Sequence, residues 1–323
     1  MFSWPGRRER EVTRLRRSRV VTPGCGALLA VLLALVVSAC GTSAQAGTDG
    51  SGPVRVVATE NFWGSIASQL AGSKASVQSI ITNPGEDPHS YQPSAGDART
   101  LATAQLVIVN GIGYDPWAPK LLAANPVSGR TVLSVGDLFG LKEGDNPHRW
   151  YDPADVDAVA RAITGDLKKL DPKDAASFQH QLEVFETSDL ARYRALIAQI
   201  RQRYAGVPVG ASESIFALQA PSLGLRLLTP ERFMKAVSEG TEVTAQDTLT
   251  TQQQITAHQI KVWVYNSQNA TPEIQRLNTM ARAAGVPITT ITETLSPASD
   301  SFEQWQVAEL NRLLEALHRA TGR

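Results

Sequence analysis

Eight short apolar runs separated by segments of helical periodicity predict an α/β protein of two lobes, each a mainly parallel sheet flanked by helices. Two further observations place the division. The strand–helix alternation stops near residue 170 and restarts at 206, and between Pro172 and Tyr204 the chain contains neither glycine nor another proline.

In chain order, 54–58 reads as a buried strand, 63–70 as a helix, 76–81 as a strand, 97–103 as a helix and 106–110 as a strand. A fourth strand at 131–135 precedes a long loop, after which Asp152-Pro153 supplies the cap and first-turn residues of another helix. Over 171–205, Leu182, Phe185, Leu190, Tyr193, Ile197, Ile200 and Tyr204 recur at near-helical spacing. They predict one long rigid helix, about 50 Å at 1.5 Å per residue, joining a lobe at 54–170 to a lobe at 206–323; a break near Ser188-Asp189 would make it two helices. The second lobe runs strand 207–210, a helix from about Ser214, strand 225–228, helix 231–237 and a helix opened by Thr244 with Asp247 three residues on. Strand 262–265, helix 272–284, strand 287–291 and a C-terminal helix from Phe302 complete it.

The first 39 residues read as a lipoprotein signal peptide. Seven arginines precede an apolar run at 26–37, too short to span a membrane at about 20 residues per crossing, and Ser38-Ala39 lead to Cys40. This arrangement is similar to a bacterial lipobox, which implies that Cys40 is lipidated, that 40–53 is a flexible tether, and that the folded chain sits outside the cell membrane, anchored to it. The other cysteine, Cys25, lies inside the signal, so the mature chain has no thiol left for a disulfide or a metal. Removing the signal's seven arginines and two glutamates from totals of 31 and 31 leaves 24 basic and 29 acidic residues, a balance that argues against a nucleic-acid partner.

Two of the five histidines stand in near-copies of one motif, Asp87-Pro88-His89-Ser90-Tyr91 and Asn146-Pro147-His148-Arg149-Trp150, each in a loop after a strand. Proline before the imidazole restricts the chain, and an aromatic two positions later can wall the ring. His180, His258 and His318 fall in helical stretches without that setting. Ligands of open α/β sheets gather beyond the carboxyl ends of strands. The polar residues there are His89 and His148 from the first lobe, Glu213 after strand 207–210 and Glu293 after strand 287–291. Two imidazoles and two carboxylates suit zinc, manganese or iron as divalent ions. Glu60 and Asp115 read as capping or solvated residues, and Trp63, Tyr91, Trp117 and Trp150 as wall and core. Asp87 or a backbone carbonyl would orient the imidazoles.

From 54 to the C-terminus the chain resembles the metal-binding lipoproteins of bacterial manganese, zinc and iron ABC importers, the cluster A-I solute-binding family. The likeness rests on Asp87-Pro88-His89-Ser90-Tyr91-Gln92-Pro93, on Asn110-Gly111 before Trp117, on Asn146-Pro147-His148-Arg149-Trp150-Tyr151-Asp152-Pro153, and on the connecting helix. It implies a metal held between the lobes by His89, His148, Glu213 and Glu293 and delivered to a permease by a monomeric carrier. The family's fourth ligand is often aspartate, so Glu293 departs from it by one methylene. The histidine-rich acidic loop of many zinc-dedicated members has no counterpart in 115–147, which tilts the reading towards manganese.

Two other functions compete with a non-catalytic carrier. A metallohydrolase would use the same donors to activate water, but the chain lacks a His-Glu-x-x-His helix, and Gly210-Ala211-Ser212-Glu213-Ser214 lacks the closing glycine of a nucleophile elbow. A binding protein for an organic ligand such as a siderophore would call for an open aromatic or arginine-lined cleft rather than converging imidazoles.

Overall fold

The computed structural model describes residues 52–323, so the signal peptide, Cys40 and nearly all of the tether lie outside the described residues. β1 (Val54–Glu60) leads into α1 (Asn61–Ala71), β2 (Ala75–Ile81), α2 (Ala95–Thr103), β3 (Leu106–Val109), α3 (Trp117–Ala124), β4 (Thr131–Ser134) and α4 (Val135–Leu138). All pairings are parallel and the strand order is β2-β1-β3-β4. Burial explains the positions: β3, Leu-Val-Ile-Val, is buried throughout, whereas edge strand β2 alternates between covered and exposed residues.

After α5 (Pro153–Leu170), whose first turn is capped by Asp152 and opened by Pro153, comes the connecting segment. It is helical from Pro172 to Tyr204 but is not one regular α-helix. A 3₁₀ turn (Pro172–Asp174) precedes α6 (Ala175–Val184), a π turn (Phe185–Asp189) follows, and α7 (Ala191–Tyr204) completes it. The cause is the spacing of the apolar residues. Phe185 and Leu190 are both buried although five residues apart, one more than an α-helical turn allows on a single face. The π turn absorbs the extra residue, and the Leu190 N–H bonds back to the Phe185 carbonyl at 3.0 Å.

The second lobe repeats the first. β5 (Pro208–Ala211), β6 (Arg226–Leu227), α8 (Glu231–Ser238), α9 (Ala245–Thr256), β7 (Val262–Asn266), α10 (Pro272–Ala283), β8 (Ile288–Ile291) and α11 (Phe302–Thr321) give a parallel sheet of order β6-β5-β7-β8. The helix expected from Ser214 is a single 3₁₀ turn, Ser214–Ala217, and α3 is a helix that the apolar pattern left unassigned. Thr244 caps α9 by accepting the Asp247 N–H, and Ser301 opens α11 in a capping box with Gln304.

The lobes share one continuous core running from β1 to α11, while a small second cluster around Val107, Leu101 and Trp117 covers the other face of the first sheet. The sequence left open one large core or two; the large one forms because α11 packs against the first lobe as well as its own. The Phe302 N–H reaches Ser65 Oγ at 2.9 Å, the Leu295 N–H reaches Asn61 Oδ1 at 3.2 Å, and the Tyr151 hydroxyl lies 2.7 Å from the Thr292 carbonyl and 2.6 Å from Glu309 Oε2. Trp305 is the keystone: fully buried, it stands edge-on to Tyr151 with centroids 5.6 Å apart and donates to Thr292 Oγ1 at 2.8 Å. Trp305→Ala is expected to destabilise the protein by about 3–5 kcal/mol, read as a lower midpoint in denaturant unfolding; a loss under about 1 kcal/mol would show that the lobes do not depend on this contact.

Candidate metal centre

The two sheets bring the carboxyl ends of their strands to a common interface, where the sequence order reverses between β1 and β3 and again between β5 and β7. His89 arrives on the loop after β2. The Asp87 carboxylate fixes that loop by accepting the backbone N–H of His89 at 2.9 Å and the Ser90 hydroxyl at 2.9 Å. Asp87 therefore positions the backbone of His89, not its ring, contrary to the sequence expectation. His148 arrives after α4, fully buried, and its Nδ1 lies 2.8 Å from Asn146 Oδ1. The same amide oxygen accepts the His148 backbone N–H, while Asn146 Nδ2 crosses to the Ser214 carbonyl of the other lobe at 2.7 Å. With an acceptor at Nδ1, that nitrogen carries the proton and Nε2 keeps its lone pair. Among the described residues, Nε2 of both His89 and His148 is buried without a hydrogen-bond partner.

From the second lobe, Glu293 follows β8 with its Oε2 accepting from the Tyr114 hydroxyl at 3.0 Å and its Oε1 from Asn266 Nδ2 at 2.9 Å. One ligating atom each from His89, His148 and Glu293 falls within 4.8 Å of the others. Glu213, fully buried after β5, is outside that trio. It lies beside it through Asn266, whose Nδ2 also donates to Glu213 Oε2 at 3.1 Å, and its Oε1 has no partner among the described residues. His180, His258 and His318 are exposed, away from the interface.

Burial sets the electrostatics. It pushes the Glu213 carboxyl well above the usual carboxylate range, with the Glu293 charge adding to the effect. Burial raises Glu293 as well, partly offset by His89. His148 is held well below an ordinary imidazole by burial, then by His89, so it is neutral and ready to ligate. The neutral His148 ring, the His89 ring and two buried acids that resist charging are a set of donors that a divalent cation would complete.

Tyr114 is the residue that strand-end reasoning missed. It is fully buried, edge-on to His89 at 4.8 Å and to His148 at 5.9 Å, and hydrogen-bonded to Glu293. Its loop is tied down by Asp115, whose carboxylate accepts the Asn110 and Gly111 N–H groups at 3.0 and 2.8 Å. Gly111 sits at φ +71°, a left-handed turn that favours glycine. Asp115 and Glu60 are thus not solvated: both are buried, and the Thr59 hydroxyl oxygen lies between them, 2.7 Å from Glu60 Oε2 and 2.9 Å from Asp115 Oδ2. Trp63 and Trp150 are core residues as expected. Trp63 donates to Asn110 Oδ1 at 3.0 Å, and Trp150 stacks on Phe62 at 3.9 Å. Tyr91 and Trp117 pack together at 5.0 Å.

His89 and Glu293 open into a cavity of about 180 Å³ that is also lined by Asp87, Ser238, Gln268 and Asn269. A larger cleft of about 660 Å³ passes the other side of His89, between Glu143, Asp145, Lys235 and Glu239, and reaches neither Glu213 nor Glu293.

The comparisons with known proteins agree with this fold. The "metal ABC transporter substrate-binding lipoprotein FimA" of Streptococcus parasanguinis is 26% identical over 314 residues, 90% of this chain and 97% of that protein. The "manganese-binding lipoprotein MntA" of Halalkalibacterium halodurans is 30% identical over 166 residues, spanning 50% of this chain and only 54% of its own length. A periplasmic metal binding protein from Candidatus Liberibacter asiaticus superposes with a TM-score of 0.68 at 19% identity, over 82% of this chain and 99% of that one, a likeness of fold. Residues 56–316 match the family described as "zinc-uptake complex component A periplasmic", ZnuA, and the chain belongs to that family.

Proposed function

We propose that the protein is an extracytoplasmic carrier that captures one divalent transition metal, Mn²⁺ or Zn²⁺ with Fe²⁺ as a further candidate, between its two lobes and delivers it to an ABC importer. The observation that carries the reading is the convergence of His89, His148 and Glu293 within 4.8 Å, with both Nε2 atoms buried and unpartnered among the described residues. Glu213 is assigned as the fourth ligand: its unpartnered Oε1 and its link to Glu293 through Asn266 support a second carboxylate beside the other three donors. In this reading 54–170 and 206–323 are the two lobes, 171–205 is their connector, and lipidated Cys40 with the 40–53 tether holds a monomer at the membrane near its permease.

Membership of a family of substrate-binding proteins supports a carrier rather than an enzyme, since capture and release require no chemistry on the ion. The cavity that His89 and Glu293 line together, about 180 Å³, supports an ion over an organic ligand, which typically needs about 300–1,000 Å³; the 660 Å³ cleft is of that size but reaches neither Glu213 nor Glu293. Native mass spectrometry of metal-stripped protein titrated with Zn²⁺, Mn²⁺ or Fe²⁺ tests this. One ion per chain is expected, and failure to retain any of the three would refute the proposal. Hydrolytic turnover of ester or phosphate substrates by the metal-loaded protein would instead favour an enzyme.

A further inference from the structure

Asn266 is the last residue of β7, and β7 lies between β5 and β8 in the sheet. The carboxylates of Glu213 and Glu293 follow those two flanking strands, so the topology sets one amide between two buried acids. Its orientation is fixed. Oδ1 accepts the Gln268 N–H at 2.9 Å, which leaves Nδ2 facing the acids, and the Asn266 backbone N–H is held by Ser212 Oγ at 3.0 Å. Nδ2 spends its two hydrogens on Glu213 Oε2 and Glu293 Oε1, at 3.1 and 2.9 Å. Gln268 locks the arrangement from behind, its Oε1 accepting the N–H groups of Glu293 and Thr294 at 2.7 and 3.1 Å.

An oxygen that accepts from a buried, immobile N–H is a poorer ligand than a free one, because a cation on it must share that oxygen with the donor. Asn266 commits one oxygen of each carboxylate in this way; the other oxygen of Glu213 has no partner among the described residues, and that of Glu293 accepts only from the Tyr114 hydroxyl, whose proton can rotate off it. Both acids are thereby biased to offer a single oxygen, and with two imidazoles the site has four donors. Four nitrogen and oxygen donors suit zinc, whereas manganese gains from the higher oxygen count that bidentate carboxylates would provide.

We propose that Asn266 is a specificity-determining positioning residue, which keeps Glu213 and Glu293 monodentate, holds the site near four-coordination and so favours zinc over manganese. The proposal rests on the carrier reading and its four ligands, and it opposes the tilt towards manganese drawn from the missing histidine-rich loop.

The test uses cobalt(II), whose visible bands are intense in four-coordinate sites and weak in six-coordinate ones, together with competition between Zn²⁺ and Mn²⁺ on metal-stripped protein. The unaltered protein is expected to give the intense spectrum. Asn266→Ala frees one oxygen on each acid and should raise manganese affinity relative to zinc by roughly tenfold, about 1.4 kcal/mol, with a weaker cobalt band. Asn266→Asp, nearly isosteric, replaces the donor by a further oxygen and should move both readouts the same way, so misfolding of one variant leaves the other. A weak cobalt spectrum in the unaltered protein overturns the proposal outright. An unchanged metal ratio and cobalt band in either folded variant does the same, since a merely structural asparagine would lower both affinities alike. If the unaltered protein binds no divalent metal, or if His148→Ala binds as well as it does, the carrier reading itself falls and this proposal with it.

Discussion

Alanine at His148 is expected to abolish the rise in melting temperature that zinc or manganese gives the metal-stripped protein, whereas alanine at His180, His258 or His318 leaves that rise intact. A ligand that binds only the folded state stabilises it by about 4 kcal/mol when present at a thousandfold excess over its dissociation constant. Most of that increment depends on His148, because its ring is fully buried and its orientation is set before any ion arrives: Asn146 holds Nδ1 at 2.8 Å and directs Nε2 towards His89 and Glu293. Apart from His89, which supplies its own donor, no described side chain has a buried, unpartnered imidazole nitrogen there to substitute for it. Truncating a buried ring also destabilises the metal-free protein, so the decisive quantity is the difference between loaded and stripped protein within each variant. The three control histidines are exposed on helices or at their ends, and their loss removes no atom of the site. Scanning calorimetry with and without excess ion reads the result; equal losses in all four variants would show that the selection of His148 has no basis.

The fold was legible where local pattern and tertiary environment agree. All eight strands stand within a few residues of their apolar runs, most plainly the central ones such as β3, because a parallel strand covered on both faces needs consecutive apolar residues and little else. The connecting segment was legible in its burial but not in its hydrogen bonding. The five-residue step from Phe185 to Leu190 is written in the sequence, yet only packing against a fixed core makes a π turn preferable to a break. α3 escaped because Pro116 precedes it, Pro119 is its third residue, and Trp-Ala-Pro-Lys-Leu-Leu-Ala-Ala shows no polar stripe to mark a face. At the site, scarce residue types in restrictive contexts singled out both histidines, and strand ends singled out both glutamates. What stayed hidden were the neutral partners. Asn146, Tyr114, Asn266 and Gln268 carry no charge to flag them, and their roles depend on which strands become neighbours, a property of the assembled sheets. Glu60 and Asp115 failed for the converse reason: acids at a strand end and in a loop read as exposed until a proline-bounded loop folds them inward against Thr59.

The stabilisation conferred by metal is expected to widen as pH rises from about 5 to about 8, because the protons that compete with the cation for the site sit chiefly on its carboxylates. Burial and mutual repulsion hold Glu213 well above the ordinary carboxylate range, and burial raises Glu293, so in the stripped protein these acids keep protons that the unfolded chain releases near pH 4.3. The sign follows from that order. Their contribution to stability is complete below the unfolded value and is lost as pH climbs through the raised folded values, so the stripped protein is penalised for each buried charge. A bound cation neutralises those charges and removes the penalty, and at higher pH it displaces fewer protons on binding. His148 runs the other way. Its folded value lies below that of the unfolded imidazole, so its contribution is present above about pH 6.5 and is lost as pH falls, which again weakens the loaded form on the acid side. Glu309, pushed up to about 7 by burial beneath Tyr151, titrates in the same window but is common to loaded and stripped protein and cancels in the difference. Paired melting curves at pH 5, 6, 7 and 8, with the ion in fixed large excess, measure that difference directly. A gap that stays constant across the series, or that grows towards acid, would mean that carboxylates do not hold the ion and would leave the two imidazoles without their acidic partners.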